Sequence, residues 1–178
     1  MGRRLEDIAY EINTRVYKEL GFTVNIGIGN NKLCAKMASD FSKPDKVHTL
    51  FMNEIEEKMW PLPVRDLFLV GPATEQKLKL LGIYTIGDLA QADPAALRRR
   101  LGKHGETIWH FANGRDANAV LPEPTENKGY GNSVTTAQDV TTYDHAHQVL
   151  LSLCETVAMR MRKDGKCGGC ISVSLRTS

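Results

Sequence analysis

Leu5, Ile8, Ile12, Val16 and Leu20 recur at intervals of three and four, and Gly21 follows where a C-terminal cap belongs, so the spacing predicts a helix ending at Gly21. The next stretch, FTVNIGIG, changes period. Phe22, Val24, Ile26 and Ile28 alternate as on one face of a strand, and GNN turns the chain into the helical run KLCAKMASDF. Pro44 disfavours helical geometry at Lys43 and ends that helix, and the acidic stretch NEIEEKMWPLP, with Pro61 and Pro63, opens a different block. From 53 to 116 the pattern is of short helices joined by glycine turns, with almost no alternation. Between Gly114 and Gly129 the run NAVLPEPTENKG carries two prolines and little periodicity, which reads as an extended linker. Beyond it, GYGNSVTTAQDV and CISVSLRT read as strands on either side of the helical HAHQVLLSLCETVAMRMRK. A lone βαβ unit of this kind normally continues into a larger sheet.

The pattern therefore predicts an α+β chain: a partial α/β unit over 1–52, an all-α unit over 53–116, a linker over 117–128 and a partial βαβ unit over 129–178. Composition adds little, since 178 residues with 42% hydrophobic and 25% charged is ordinary for a soluble globular protein. A net charge of only +2 permits nucleic-acid binding without requiring it, so any basic footprint must be local. No run approaches the roughly 18 apolar residues of a membrane span, and MGRRLEDIAYEI lacks a signal peptide's apolar stretch. The expectation is a cytoplasmic protein with no membrane partner. Cys34, Cys154, Cys167 and Cys170 read as reduced thiols in a chain long enough to bury a core without disulfides. CGGC at 167–170 has CxxC spacing, but zinc takes four ligands, and Cys154, His145 and His147 sit on or before the preceding helix. A glycine turn with incidental thiols is the better reading, and no metal ligands are assigned.

Candidate chemistry is concentrated in two glycine turns. In LVGPATEQKLKLL, a turn carrying Gly71 precedes a helix expected to start near Thr74, with Leu78 and Leu81 as its apolar stripe. Unpaired N–H groups at the positive end of a helix dipole make an anion site. The pattern resembles a helix-hairpin-helix, whose amides hold a DNA phosphate without reading bases; a plain packing corner is the alternative. LGKHGETIWHF repeats the arrangement, with Gly102 and Gly105 in the turn and Arg98, Arg99, Arg100, Lys103 and His104 beside it. Phosphate affinity comes from such cations and the counterions they release, although the arginine run could be a solvated helix face. Gly27 and Gly29 invite a dinucleotide or P-loop label, but the third glycine of GxGxxG and the GK[ST] are missing. What is left there is Lys32 and Lys36 one helical turn apart, and Lys43 at the helix exit, placed to grip a phosphate chain or simply exposed. Glu6, Asp7, Glu56 and Glu57 read as solvated faces, and Trp60, Trp109 and the stripe Leu150, Leu153, Val157, Met161 as core.

TVNIGIGNNKLCAKMASDFSKPDKVHTLF, LVGPATEQKLKLLGIYTIGDLA, LGKHGETIWHFANGRD and KGYGNSVTTAQDV, in that order, resemble the Y-family translesion DNA polymerases, most of all the bacterial polymerase IV-like and UmuC-like branch. The resemblance covers essentially the whole chain. It implies the end of a palm, a thumb with two helix-hairpin-helix turns, and the start of a little finger. It also implies an error-tolerant DNA-directed DNA polymerase that transfers nucleotides from dNTP to a primer. By the same resemblance Lys43, with Lys36, contacts the triphosphate, and Val70, Gly71, Ala73, Lys77, Arg99, Gly102, Lys103 and Gly105 hold the primer-template backbone. The implied partners are primer-template DNA, dNTP and a sliding clamp. Mg²⁺ would serve the full polymerase, whose metal-binding carboxylates lie before the point where these residues begin. The chain accordingly reads as a fragment with no catalytic residue of its own, expected to be inactive alone and to self-associate through exposed strand edges. One departure is visible: where the family has Gly-x-Gly, this chain has Leu69 before Val70 and Gly71. The runner-up is a non-catalytic helix-hairpin-helix DNA-binding protein.

Overall fold

The computed structural model describes residues 2–121 and 126–176. Pro122–Thr125, within the predicted linker, and Thr177, at the end of the last predicted strand, lie outside the described residues. The chain divides into two compact units, Met1–Pro122 and Glu123–Ser178.

In the first unit, α1 (Leu5–Leu20) ends as its sequence predicts: Gly21 takes φ 72°, where a Cβ is disfavoured, and its N–H donates to the Tyr17 carbonyl. Its apolar stripe is formed but uncovered. Leu5, Ile8, Ile12 and Leu20 are all exposed, and Ala9 is the one buried residue of the helix. A parallel pair follows, β1 (Ile26–Gly29) and β2 (Val47–Leu50), in a register that sets Ile26 opposite Val47 and Gly29 opposite Leu50. The crossover between them is α2 (Lys32–Asp40), capped by Asn31, whose side chain accepts from the Cys34 N–H.

The expected strand begins at Ile26 rather than Phe22, because the ladder starts only where the Ile26 N–H meets the Lys46 carbonyl at 2.9 Å. Phe22 is exposed. β2 escaped the sequence reading, since four residues VHTL between a loop and the Met52–Glu54 turn carry too short an alternation to register.

The 3-10 turn at Met52–Glu54 leads through α3 (Ile55–Lys58) and a second 3-10 turn (Val64–Asp66) into α4 (Pro72–Lys79), α5 (Ile86–Gln91), α6 (Pro94–Leu101) and α7 (Lys103–Ala112). As predicted, this block is all helical. One continuous apolar cluster joins it to the sheet block, running from Leu33 and Met37 on α2 through Leu50, Met59 and Leu78 to Leu97 and Ile108. Two hydrogen bonds reinforce the join: Asn31 Nδ2 donates to the Gly114 carbonyl at 2.8 Å, and Trp60 Nε1 to the Ala112 carbonyl at 3.0 Å. Trp60 and Trp109 pack against this cluster, as a core reading requires.

The second unit holds α8 (Tyr143–Lys163), with Thr142 accepting from the His145 N–H. The predicted βαβ is not formed among the described residues. Neither GYGNSVTTAQDV nor the described part of CISVSLRT is paired, and Val134, Ile171, Val173 and Leu175 are exposed. Alternation encodes a face to be buried, but a strand also needs a hydrogen-bonded neighbour, and the described residues supply none. For the same reason the stripe Leu150, Leu153, Val157, Met161 is only half-buried, and α8 has no buried residue.

Candidate nucleic-acid interface

Helix starts in the 53–116 block fall into two kinds. α5 is closed by a reciprocal cap, with the Asp88 N–H donating to Thr85 and the Thr85 N–H donating to Asp88. α6 is closed by Asp93, which accepts from Ala95 and Ala96 at 2.9 and 3.1 Å. By contrast, α4 and α7 begin at Gly71 and Gly102, and no side chain caps either. The N–H groups of Ala73 and Lys103 have no acceptor among the described residues, whereas that of Gly105 donates to the Gly102 carbonyl at 3.1 Å, so each start leaves an open N–H at the positive end of a helix, which suits an anion. These are the two turns singled out from the sequence.

In the first turn α4 begins at Pro72, two residues before the expected start, with proline at a position where its missing N–H is no loss. Gly71 and Ala73 are exposed, and a Cβ on Gly71 would meet nothing within 4 Å. The backbone constraint sits at Leu69 instead, at φ 73°. Leucine thus occupies a glycine-type conformation, and its side chain is 48% exposed beside the helix start. Val70 plays a different part: it is buried in the core and its N–H donates to the Leu67 carbonyl at 2.9 Å, so it anchors the turn rather than facing a ligand. Lys77 is exposed on α4 and has no carboxylate partner among the described residues, whereas Lys79 pairs with Glu75 at 2.8 Å.

In the second turn Gly102 takes φ 66°, and the exposed Lys103 opens α7. Gly105 is inside α7, not in the turn. It is buried against α6, where a Cβ would lie 2.5 Å from the Leu97 carbonyl oxygen and 2.9 Å from Leu101 Cβ. Its place is that of a packing glycine which lets α6 and α7 approach. Arg99 is exposed and only loosely paired with Asp93 at 3.8 Å, while Arg98 is held by Glu106 at 3.1 Å.

The lysines at the α2 exit converge on a residue the sequence reading passed over. Asp40 binds Lys43 Nζ at 2.9 Å through one oxygen and Lys36 Nζ through the other. Lys36 and Lys43 are thereby brought together, in a trio of net charge +1, whereas Lys32 is exposed at the other end of α2. The i+4 and i−3 offsets from the lysines were legible in the sequence. Hydrogen bonds from Lys36 and Lys43 hold the Asp40 carboxyl below the usual carboxylate range. A depressed carboxyl contributes stability that is present above its unfolded value and is lost as pH falls through the lower folded value. The Asp40 side-chain resonance should titrate below an ordinary aspartate in an NMR pH series, and replacing Lys36 and Lys43 together by alanine should return it to the ordinary range.

Burial pushes the Cys34 thiol up, and its Sγ lies 3.7 Å from the Gly114 carbonyl, which makes it an unreactive core thiol. Among the described residues no three His, Cys, Asp or Glu side chains converge on a point that could hold a metal ion, and no helix is long and apolar enough to cross a membrane.

Comparison with known proteins matches three family descriptions in chain order: the impB/mucB/samB family over residues 2–40, the IMS family HHH motif over 53–83, and the impB/mucB/samB family C-terminal domain over 127–178. The chain is 44% identical to DNA polymerase IV of Clostridium acetobutylicum over 177 residues, which is 99% of this chain and 45% of that protein. It is 40% identical over 171 residues to DNA polymerase IV of Acetivibrio thermocellus (95% and 43%), and 39% identical over 170 residues to that of Moorella thermoacetica (95% and 42%). The chain thus spans less than half the length of the curated relatives it matches. With all three matches drawn from one family and kept in order, the chain belongs to the impB/mucB/samB family, the Y-family that its motifs resemble.

Proposed function

We propose that this chain is the DNA-backbone and nucleotide-handling part of an error-tolerant DNA-directed DNA polymerase, which transfers nucleotides from dNTP to a primer. The observation that carries the reading is the pair of uncapped helix starts at Gly71 and Gly102, with the two helices between them, α5 and α6, both capped by side chains. The N–H of Ala73 at one turn and of Lys103 at the other would donate to phosphate oxygens, with Lys77, Arg99 and the Lys103 side chain supplying positive charge. Such contacts hold a duplex without reading its sequence. Lys43 and Lys36 would meet the triphosphate. The residues described here do not fit the Mg²⁺ of a two-metal reaction, and nothing proposed for this chain runs through a metal. A sliding clamp belongs to the same proposal for the full-length protein. So does self-association, which we assign to the outer edges of the two-stranded β1–β2 sheet. Sedimentation at increasing concentration should show a rising mass, and a constant monomer mass would remove that assignment.

Duplex binding by this chain tests the main reading. With about four to six phosphates neutralised, log K should fall with log salt at a slope of roughly −4 to −5, equally for unrelated sequences. Arg99→Ala should make that slope shallower by about one. Leu69→Gly should tighten binding without lowering stability, since glycine accepts the left-handed backbone and removes a side chain beside the α4 start. Sequence-selective or salt-independent binding would leave both turns as packing corners.

A further inference from the structure

Lys43 sits in the segment Phe41–Lys46, between the end of α2 and the start of β2; Asp40 of α2 pairs with Lys43 at 2.9 Å, His48 Nε2 of β2 lies 2.8 Å from Ser42 Oγ, and a third side chain, from outside both elements, spans the segment. Asn25, immediately before β1, donates through Nδ2 to the Ser39 carbonyl at 3.2 Å and the Ser42 carbonyl at 3.0 Å. Its Oδ1 accepts from the Lys46 N–H at 3.2 Å. One carboxamide therefore grips the segment on both sides of Lys43 and also satisfies carbonyls at the open end of α2. The opposite amide orientation would set an oxygen against two carbonyls, so the hydrogen-bond pattern fixes it. Asn13 on α1 extends the grip, donating to the Val24 carbonyl and to Asp45 Oδ1, both at 2.9 Å. Asn25 and Lys43 line the same shallow depression, with Thr23, Pro44 and Asp45.

We propose that Asn25 is a positioning residue for nucleotide binding: its carboxamide fixes the Phe41–Lys46 segment at both ends, so that Lys43 is presented to the triphosphate from a rigid loop. This rests on the triphosphate reading of Lys43. Asn25 itself touches no substrate. Its effect is on how much of the time Lys43 is in place, which enters KM for every nucleotide alike and leaves the chemical step alone.

The experiment uses a full-length polymerase carrying this segment, with Asn25→Ala, Asn25→Asp, Lys43→Ala and the Asn25→Ala/Lys43→Ala pair. Asn25→Ala should raise KM for all four dNTPs by roughly 3- to 10-fold, the range expected for lost neutral hydrogen bonds, with kcat little changed. The pair should be no worse than Lys43→Ala alone, because a loop without its lysine has nothing to position. Amide exchange should quicken across Phe41–Lys46 and stay slow at Leu33–Ala38. Asn25→Asp keeps the shape and the Lys46 acceptor but loses the donors, and should loosen the same amides. If Lys43→Ala raises KM while Asn25→Ala moves neither KM nor exchange, or if the two effects multiply in the pair, the proposal is overturned. If Lys43→Ala leaves KM unmoved while Asn25→Ala still frees the loop, the triphosphate reading has failed and the loop-holding half stands.

Discussion

Gly27→Ala should destabilise the first unit by at least about 3 kcal/mol, lowering its thermal midpoint by roughly 10 °C. A Cβ there would sit 1.9 Å from the Ala35 carbonyl oxygen and 2.5 Å from the Ser39 nitrogen. Both are backbone atoms of α2, so no rotamer change relieves the clash and the helix must lift off the sheet. Gly29 is nearly as tight, with Cys34 Cβ at 2.6 Å and the Ala35 nitrogen at 2.8 Å. Gly71 supplies the contrast: a Cβ there meets nothing, so Gly71→Ala should leave the midpoint within about 1 °C, the small effect typical of surface changes. Circular dichroism melts of Gly27→Ala, Gly29→Ala and Gly71→Ala check the order. An unchanged midpoint for Gly27→Ala would mean that α2 does not lie on β1 as described.

Lys43→Ala in the full-length polymerase should raise the apparent KM for each of the four dNTPs by a similar factor, because a triphosphate contact is blind to the base. Loss of one charge-assisted contact is worth roughly 1.5–3 kcal/mol, or about 10- to 150-fold. In the free protein Lys43 is exposed and paired with Asp40, so its removal should leave folding nearly unaffected. Steady-state primer extension with each nucleotide in turn gives the answer. A penalty confined to one nucleotide would place Lys43 against a base.

The sequence carried the helices well, because each is bounded by signals that act locally: Gly21 ends α1, Asn31 opens α2, and the Thr85–Asp88 cap opens α5. It carried the two turns of the candidate site for the same reason. What it could not carry depends on contacts between segments distant in sequence. The glycines at 27 and 29, whose spacing already refuses a phosphate-loop label, show why they are glycines only when α2 is seen lying on them, and Gly105 looks like part of a turn until Leu97 is seen against it. Val70 reads as a ligand contact from its place beside Gly71, but the Leu67 carbonyl takes its N–H and the core takes its side chain. The strands expected on either side of α8 failed differently, since alternation can be written into a segment with no neighbour to pair with. Asn25 was passed over because it makes its point only once the loop after α2 has folded back on it, whereas Asp40 stands at local offsets from Lys36 and Lys43 that the sequence did display.

The apolar cluster that runs unbroken from α2 to α7 also sets a fixed gauge. The lysine loop at one end and the helix start proposed to hold phosphate at the other are mounted on a common solid, with Asn31 and Trp60 bolting the far end of α7 to α2 and α3. Interiors this closely packed transmit displacement rather than absorb it. Nucleotide and duplex backbone would therefore be measured off against each other by a rigid spacer, and a one-step advance along the template would require the DNA to shift along the protein instead of the hairpins bending towards the lysines.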